Sequence, residues 1–309
     1  MPACIIRRHL PGKEQVAIMA SMRDIKRRKG SIQSTQQITK AMKLVSTVKL
    51  QKAKQRAEQS GDYFKCMYET VVSMLAKAGN INHPYLKAGD SSKKGIIVIT
   101  SNRGLAGGYN SNITKLVTHG DFRKEDAVIY VIGKKGKETL QRYGYRIKED
   151  YSDIVEEPLY SDAMEVSRKV LDDFVNGEIG EIYLAYTGFK NTVVHVPTLL
   201  KLLPVEVKTD AGGMGEGGAS DNRAPMNFEP EDDEALDMII PKYVTSLIYG
   251  GLVESVASEN GARMQAMDSA TNNADDMIDH LTLMYNRARQ GSITQELTEI
   301  IAGANAISM

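Results

Sequence analysis

The chain has 309 residues, 42% of them hydrophobic, enough for one large or two ordinary domains with a globular core. Aromatic content is only 6% with no Trp, while 15 Met are present, which fits slender helices with adaptable contacts better than one thick core. Cys4 and Cys66 have no CxxC spacing and are too few for a disulfide framework or a structural metal site, and no apolar run approaches the roughly 20 residues of a membrane span.

Residues 1–18, with Pro2, Pro11 and Gly12, lack the apolar stretch of a secretory signal. They read as sequence upstream of a natural start at Met19, and residues 1–20 are expected to be a disordered extension. A first helix is predicted from Ser21 to residue 78. No Pro lies between Pro11 and Pro84, and Gly61-Asp62 is a possible soft spot. Ile25 and Ile32, then Ile38, Ala41, Met42, Val45 and Val48, form its predicted inner stripe. Such a length points to a coiled coil, a bundle or an extended shaft.

Residues 79–94 read as a linker rich in Gly, Asn and Ser, opening an α/β region over 79–208. Strands are predicted at Ile96–Thr100, Ala127–Ile132, Glu181–Phe189 and Thr192–Leu203, the last two joined as a hairpin across Gly188–Asn191. Helices are predicted at Gly107–His119, Lys134–Tyr143 and Tyr160–Asn176. Alternating strands and helices imply a small, mostly parallel, Rossmann-like sheet covered on both faces. Residues 209–240 carry five glycines between Gly212 and Gly218, then Pro225, Pro230 and an acidic run, and read as a mobile loop.

A final helix is predicted over 241–309. Met264, Met267, Thr271, Ala274, Ile278, Leu281, Tyr285 and Ala288 alternate steps of three and four, the heptad seam of a left-handed coiled coil. The ends of the chain differ in charge. Met22–Glu58 holds eleven bases against two acids, a net +9, and Glu231–Met309 holds four bases against thirteen acids, a net −9. The fold expected is therefore α/β plus a long antiparallel coiled coil of the two terminal helices.

The motifs do not favour an enzyme. Ser101–Asn110 (SNRGLAGGYN) sits where phosphate loops occur but lacks the lysine and hydroxyl of GxxxxGK[ST], so it reads as a tight packing turn. Gly133-Lys-Lys-Gly136 could hold a phosphate, although a basic helix start is the commoner meaning. His9, His83, His119, His195 and His280 show no metal spacing, and neither GxSxG nor HExxH occurs. No catalytic residue, cofactor or metal is expected. The basic N-terminal helix leaves a nucleic-acid-binding protein as the alternative reading.

Met22–Lys26 (MRDIK) with Thr35–Val45 (TQQITKAMKLV), Ile99–Asn110, and Ile293–Ala306 (ITQELTEIIAGANA) resemble, in order, three signatures of the gamma subunit of F-type ATP synthases. The resemblance spans nearly all of 19–309. It implies a non-catalytic rotor shaft inside a head of three alpha and three beta subunits, with an epsilon subunit and a membrane c-ring as further partners. It also implies a peripheral place on the cytoplasmic face of a bacterial cell membrane. Carried over by motif, Arg289 and Gln290 would form a polar catch to a beta-subunit loop. Met42 would face the beta-subunit lever near Arg263, Gln290, Thr294 and Glu296. Phe228-Glu-Pro230 resembles an element at the foot, making Glu229 a candidate contact to the membrane ring. The N-terminal extension, Gly291 and the Gly-rich stretch depart from the family pattern, and no cysteine between 200 and 240 supports a redox insert.

Overall fold

The computed structural model describes residues 12–77, 83–89, 91–205 and 232–307. The chain divides into two compact units, one of residues 44–266 and one of residues 1–43 with 267–309. Helices α1 (Gly12–Lys77) and α5 (Asp232–Ile307) contribute residues to both. The expectation of a disordered N-terminus falls partly on residues 1–11, and the Gly-rich excursion falls wholly on 206–231; both segments lie outside the described residues. Helix α1 begins ahead of Ser21 and continues through Gly61-Asp62 without interruption.

In the unit of residues 44–266, strands β1 (Lys94–Ile99), β2 (Ala127–Ile132), β3 (Arg146–Asp150), β4 (Glu181–Phe189) and β5 (His195–Leu203) form one sheet in the order β3-β2-β1-β4-β5. The first four are parallel and β5 runs antiparallel to β4. The near-continuous apolar run of β1 is what a strand buried on both faces needs. Alternate side chains go to opposite faces. Ile97, Ile99, Tyr130 and Ile132 join a core with α4 (Tyr160–Val175) through Val166, Val170 and Phe174, and with Ile240, Val244, Ile248 and Leu252 of α5. Ile96, Val98, Ile129 and Val131 join a second core with Ile113 and Val117 of α2 (Tyr109–Thr118) and Leu140 of α3 (Lys134–Arg142).

Strand β3 and the starts of β5 and α5 depart from the sequence expectation, each for a local reason. Strand β3 is an additional strand; its sequence, RIKED, carries charge at four of five positions, as an edge strand paired only with β2 tolerates. Strand β5 starts at His195 because Asn191 Oδ1 accepts from the amides of Val193 and Val194, which commits 191–194 to the turn. Helix α5 begins at Asp232, upstream of Pro241, because Leu236 and Ile240 are buried in the core and hold the turns before the proline.

In the other unit the two helices pair antiparallel, as predicted. Gln36 Nε2 donates to Asp275, Thr39 Oγ1 lies 2.8 Å from Thr271 Oγ1, and Lys43 Nζ lies 2.5 Å from Asp268 Oδ1. Position rises on one helix as it falls on the other. On α5, Met267, Ala274 and Leu281 are buried, while Thr271, Ile278, Tyr285 and Ala288 are half-buried, so the heptad seam stands. It continues to Ser292. The inner stripe proposed for α1 stands only in part, at Ile25, Ile32 and the half-buried Met42. Ile38 is 60% exposed and Ala41 is exposed, while Ile25, Ile32, Gln36 and Thr39 are the residues turned inward. Polar Gln36 and Thr39 occupy seam positions because the facing helix supplies Asp275 and Thr271 to bond them. In the larger unit Val45 and Val48 are likewise exposed, and the described α1 positions that are buried are Ser46, Leu50, Ala53, Val71 and Met74.

The charge asymmetry is answered in two ways. Lys43 pairs across the coil with Asp268, whereas Lys49 and Lys52 pair with Glu156 and Glu157 of the α/β region.

Candidate functional site

Strands β1 and β4 are neighbours whose connections leave to opposite sides, and the notch at their carboxyl ends is where doubly wound sheets bind ligands. Here the chain fills it. The turn of residues 100–108 folds back on itself: Ser101 N donates to Asn110 Oδ1 at 2.9 Å and Ser101 Oγ donates to Arg103 O at 2.6 Å. Ala106 and Tyr109 are buried beneath it. Burial, with the charge of Glu259 behind it, pushes the Tyr109 hydroxyl above its ordinary range.

Three of the four amides of the Gly133–Gly136 segment are already engaged within the chain. Gly136 N donates to Thr100 Oγ1 at 2.9 Å, Lys134 N to Asn102 Oδ1 at 3.0 Å and Lys135 N to Ser101 O at 3.0 Å. These are the orphan donors with which a helix start binds an anion, and β1 and its loop satisfy them. Gly133 is required for the approach: its φ is 115°, and a Cβ there would stand 2.2 Å from Thr100 O. A cavity of about 130 Å³ lies at the other end of β1, lined by Lys94, Asp121, Phe122, Arg123 and Asp126, below the size of ordinary ligand pockets. Among the described residues no group of three His, Cys, Asp or Glu could hold a metal ion.

The residues implicated in partner binding are spread along the chain. Arg289, Gln290, Thr294 and Glu296 are all exposed on α5, turned away from the inward positions Ala288 and Ser292. Met42 is half-buried on α1. The antiparallel register sets it level with residues 268–269, more than twenty residues along α5 from Gln290, or about 30 Å at 1.5 Å per residue. Met42 therefore does not neighbour Gln290, Thr294 or Glu296. Arg263, in the other unit, is turned inward, its side chain 12% exposed and its Nη1 2.7 Å from Glu259 Oε1. Glu229 lies outside the described residues.

Sequence reasoning missed a second set. Ile293, Leu297, Ile300, Ile301 and Ile307 are exposed near the end of α5. Their signal was an apolar stripe at helical spacing, offset from the seam positions Ser292, Gln295 and Glu299.

A family model described as ATP synthase matches residues 21–307. The ATP synthase gamma chain of Lachnoclostridium phytofermentans is 67% identical over 94% of this chain and all of its own length. The sodium-ion-specific gamma chain of Acetobacterium woodii is 42% identical over 93% of this chain and 99% of its own. Among solved structures, the Euglena gracilis mitochondrial ATP synthase (OSCP, F1 and c-ring, rotational state 3) contains a chain with the same fold at TM-score 0.64 and 18% identity, covering 93% of this chain and 95% of that one. The chain belongs to the ATP synthase gamma-subunit family.

A gamma subunit is the non-catalytic rotor subunit of its complex, which accords with a ligand notch filled by the chain's own side chains. None of the described helices is long and apolar enough to cross a membrane. The resemblance read from the three signatures is thus borne out.

Proposed function

We propose that this gamma subunit is the central shaft of a bacterial ATP synthase head, one copy serving three alpha and three beta subunits on the cytoplasmic face of the cell membrane. Its foot, through Glu229, engages the membrane c-ring, and an epsilon subunit completes the rotor. Ion-driven turning of the ring rotates the shaft, and the shaft couples that rotation to ATP synthesis or hydrolysis on the beta subunits. Coupling of this kind needs differential contact: one asymmetric rod touches three equivalent subunits unequally and favours a different state in each.

The observation that carries the reading is the end of α5. Five exposed aliphatic side chains, Ile293 to Ile307, follow an exposed Arg289-Gln290 pair with Thr294 and Glu296 among them. Contiguous apolar surface of this kind marks an interaction site, and it suits a bearing inside an apolar sleeve. Arg289 offers a planar fork for a carboxylate, with Gln290 beside it as the second half of a catch. Met42, Thr294 and Glu296 supply further beta-subunit contacts at separate levels of the shaft.

The test is co-expression with the cognate alpha and beta subunits, native mass spectrometry of the product, and ATPase assay. One copy per three alpha and three beta with turnover supports the reading, and a chain that remains alone overturns it. The double variant Arg289→Ala, Gln290→Ala is expected to lower coupled synthesis while the complex still assembles. Undiminished synthesis in that variant removes the catch.

A further inference from the structure

We infer that Arg263 works inside the chain, as a positioning residue that pins the turn between β1 and α2 to α5. The turn carries an unusual backbone. Leu105 has φ 64°, in the left-handed region that side-chain-bearing residues seldom hold, and Gly107 follows at φ 56°. Leu105 is 63% exposed, so burial of its own side chain does not keep it there. Its neighbours do. Ala106 and Tyr109 are buried on one side, and on the other Arg263 Nη2 donates to the carbonyl of Gly104 at 3.4 Å.

Arg263 is itself fixed by Glu259, one helical turn earlier, whose side chain is only 13% exposed. The guanidinium fork serves both partners at once, which a lysine ammonium at the same place would do poorly. A guanidinium engaged on both edges and largely shielded is poorly placed to reach a second subunit. The stretch of α5 that precedes Arg263 is itself tied to the sheet: Thr187 N of β4 donates to Ser255 Oγ and Ser258 Oγ donates to Thr187 O. The clamp's consequence is that the exposed Leu105 is held in one presented conformation.

The experiment is hydrogen–deuterium exchange with mass spectrometry on the full chain alone, so its outcome is independent of whether the complex assembles. Arg263→Lys keeps a cation beside Glu259 but removes the fork. Exchange across 102–109 is expected to rise about fivefold, the size one modest hydrogen bond provides, with 127–132 of β2 unchanged. Glu259→Gln leaves the guanidinium but loosens its anchor, and about twofold is expected in the same segment. In a Leu105→Gly background, where the left-handed turn needs no holding, the Arg263→Lys effect is expected to shrink. Unchanged exchange in 102–109 for both single variants, or an Arg263→Lys effect that is as large with Gly at 105, overturns the inference. Unchanged exchange combined with weakened assembly with beta would instead make Arg263 a subunit contact.

Discussion

Thr39 of α1 and Thr271 of α5 put their hydroxyl oxygens 2.8 Å apart within the seam of the coil. Each hydroxyl has a single hydrogen, so one threonine donates across the seam while the other donates to its own helix, at Gln36 O (3.0 Å) or Met267 O (2.8 Å). With Gln36–Asp275 and Lys43–Asp268 on either side, three successive polar links occupy a stretch that an ordinary coil would fill with aliphatic side chains. Polar seam layers of this kind fix register, because a shifted pairing would strand them.

Replacing one threonine by valine leaves the other hydroxyl without its cross-helix partner. Thr39→Val or Thr271→Val is expected to lower stability by about 1 kcal/mol, and the double variant by less than the two together. Urea titration of the four proteins gives the coupling directly. Strict additivity would show that the hydroxyls do not interact.

Gly133→Ala tests the close seat of α3 on β1. A methyl group would meet Thr100 O and Oγ1 at 2.2 and 2.7 Å, on a backbone with φ 115° that alanine resists. The expected cost is on the order of 3 kcal/mol or more, seen as a large drop in Tm by calorimetry. A variant that melts with the wild type would contradict the geometry.

Glu254 gives a pH prediction. Burial raises its carboxyl above the ordinary value, and the amide of Phe189 opposes this weakly. Between the unfolded and folded pKa the folded chain holds more protons, so stability falls as pH rises through that interval. Glu254→Gln removes the ionisable carboxyl and keeps an acceptor for Phe189. The variant's Tm advantage is expected to be near zero at about pH 4 and to open by about pH 8. A gap that is constant with pH would exclude Glu254 as its source.

His195 acts with the opposite sign. Its ring packs against Gly261, whose notional Cβ would lie 2.7 Å from Cε1, and burial lowers its pKa, with Thr192 opposing. The unfolded chain then takes up the proton first as pH falls, so this contribution is present above the ordinary histidine value and lost below it. Glu254 lies on the same helix and Arg263 and Glu259 on the turns around Gly261, so the comparison must be made at fixed identity of all three. His195→Phe is expected to flatten the stability profile between about pH 5 and pH 7. Melting curves across that range decide it, and an unchanged slope would clear His195.

The parts of the fold legible in the sequence were those whose signal was their own. Strands β2 and β4 fall on the predicted residues because each is a dense apolar run bounded by turn residues, and the α5 seam is a repeat that needs no partner to be seen. The α1 seam was legible only in part, at Ile25, Ile32 and Met42. Gln36 and Thr39 look like surface residues until Asp275 and Thr271 are placed opposite, while Ile38, Val45 and Val48 look like core residues but are exposed among the described residues. Strand β3 was hidden by its charges, which serve an edge: Lys148 reaches the buried Asp173 at 2.7 Å. For the proposed site, Arg289 and Gln290 were named from motif alone, whereas the inward turn of Arg263 depended on Glu259 and Gly104, a partner one turn away and another 159 residues away.

The filled notch at the carboxyl ends of β1 and β4 has a consequence for a machine that handles nucleotide elsewhere. Because the turn of residues 100–108 and the buried Thr100 and Tyr109 occupy that space, the packing of the sheet on α5 is expected to be indifferent to whether the cell is rich or poor in ATP.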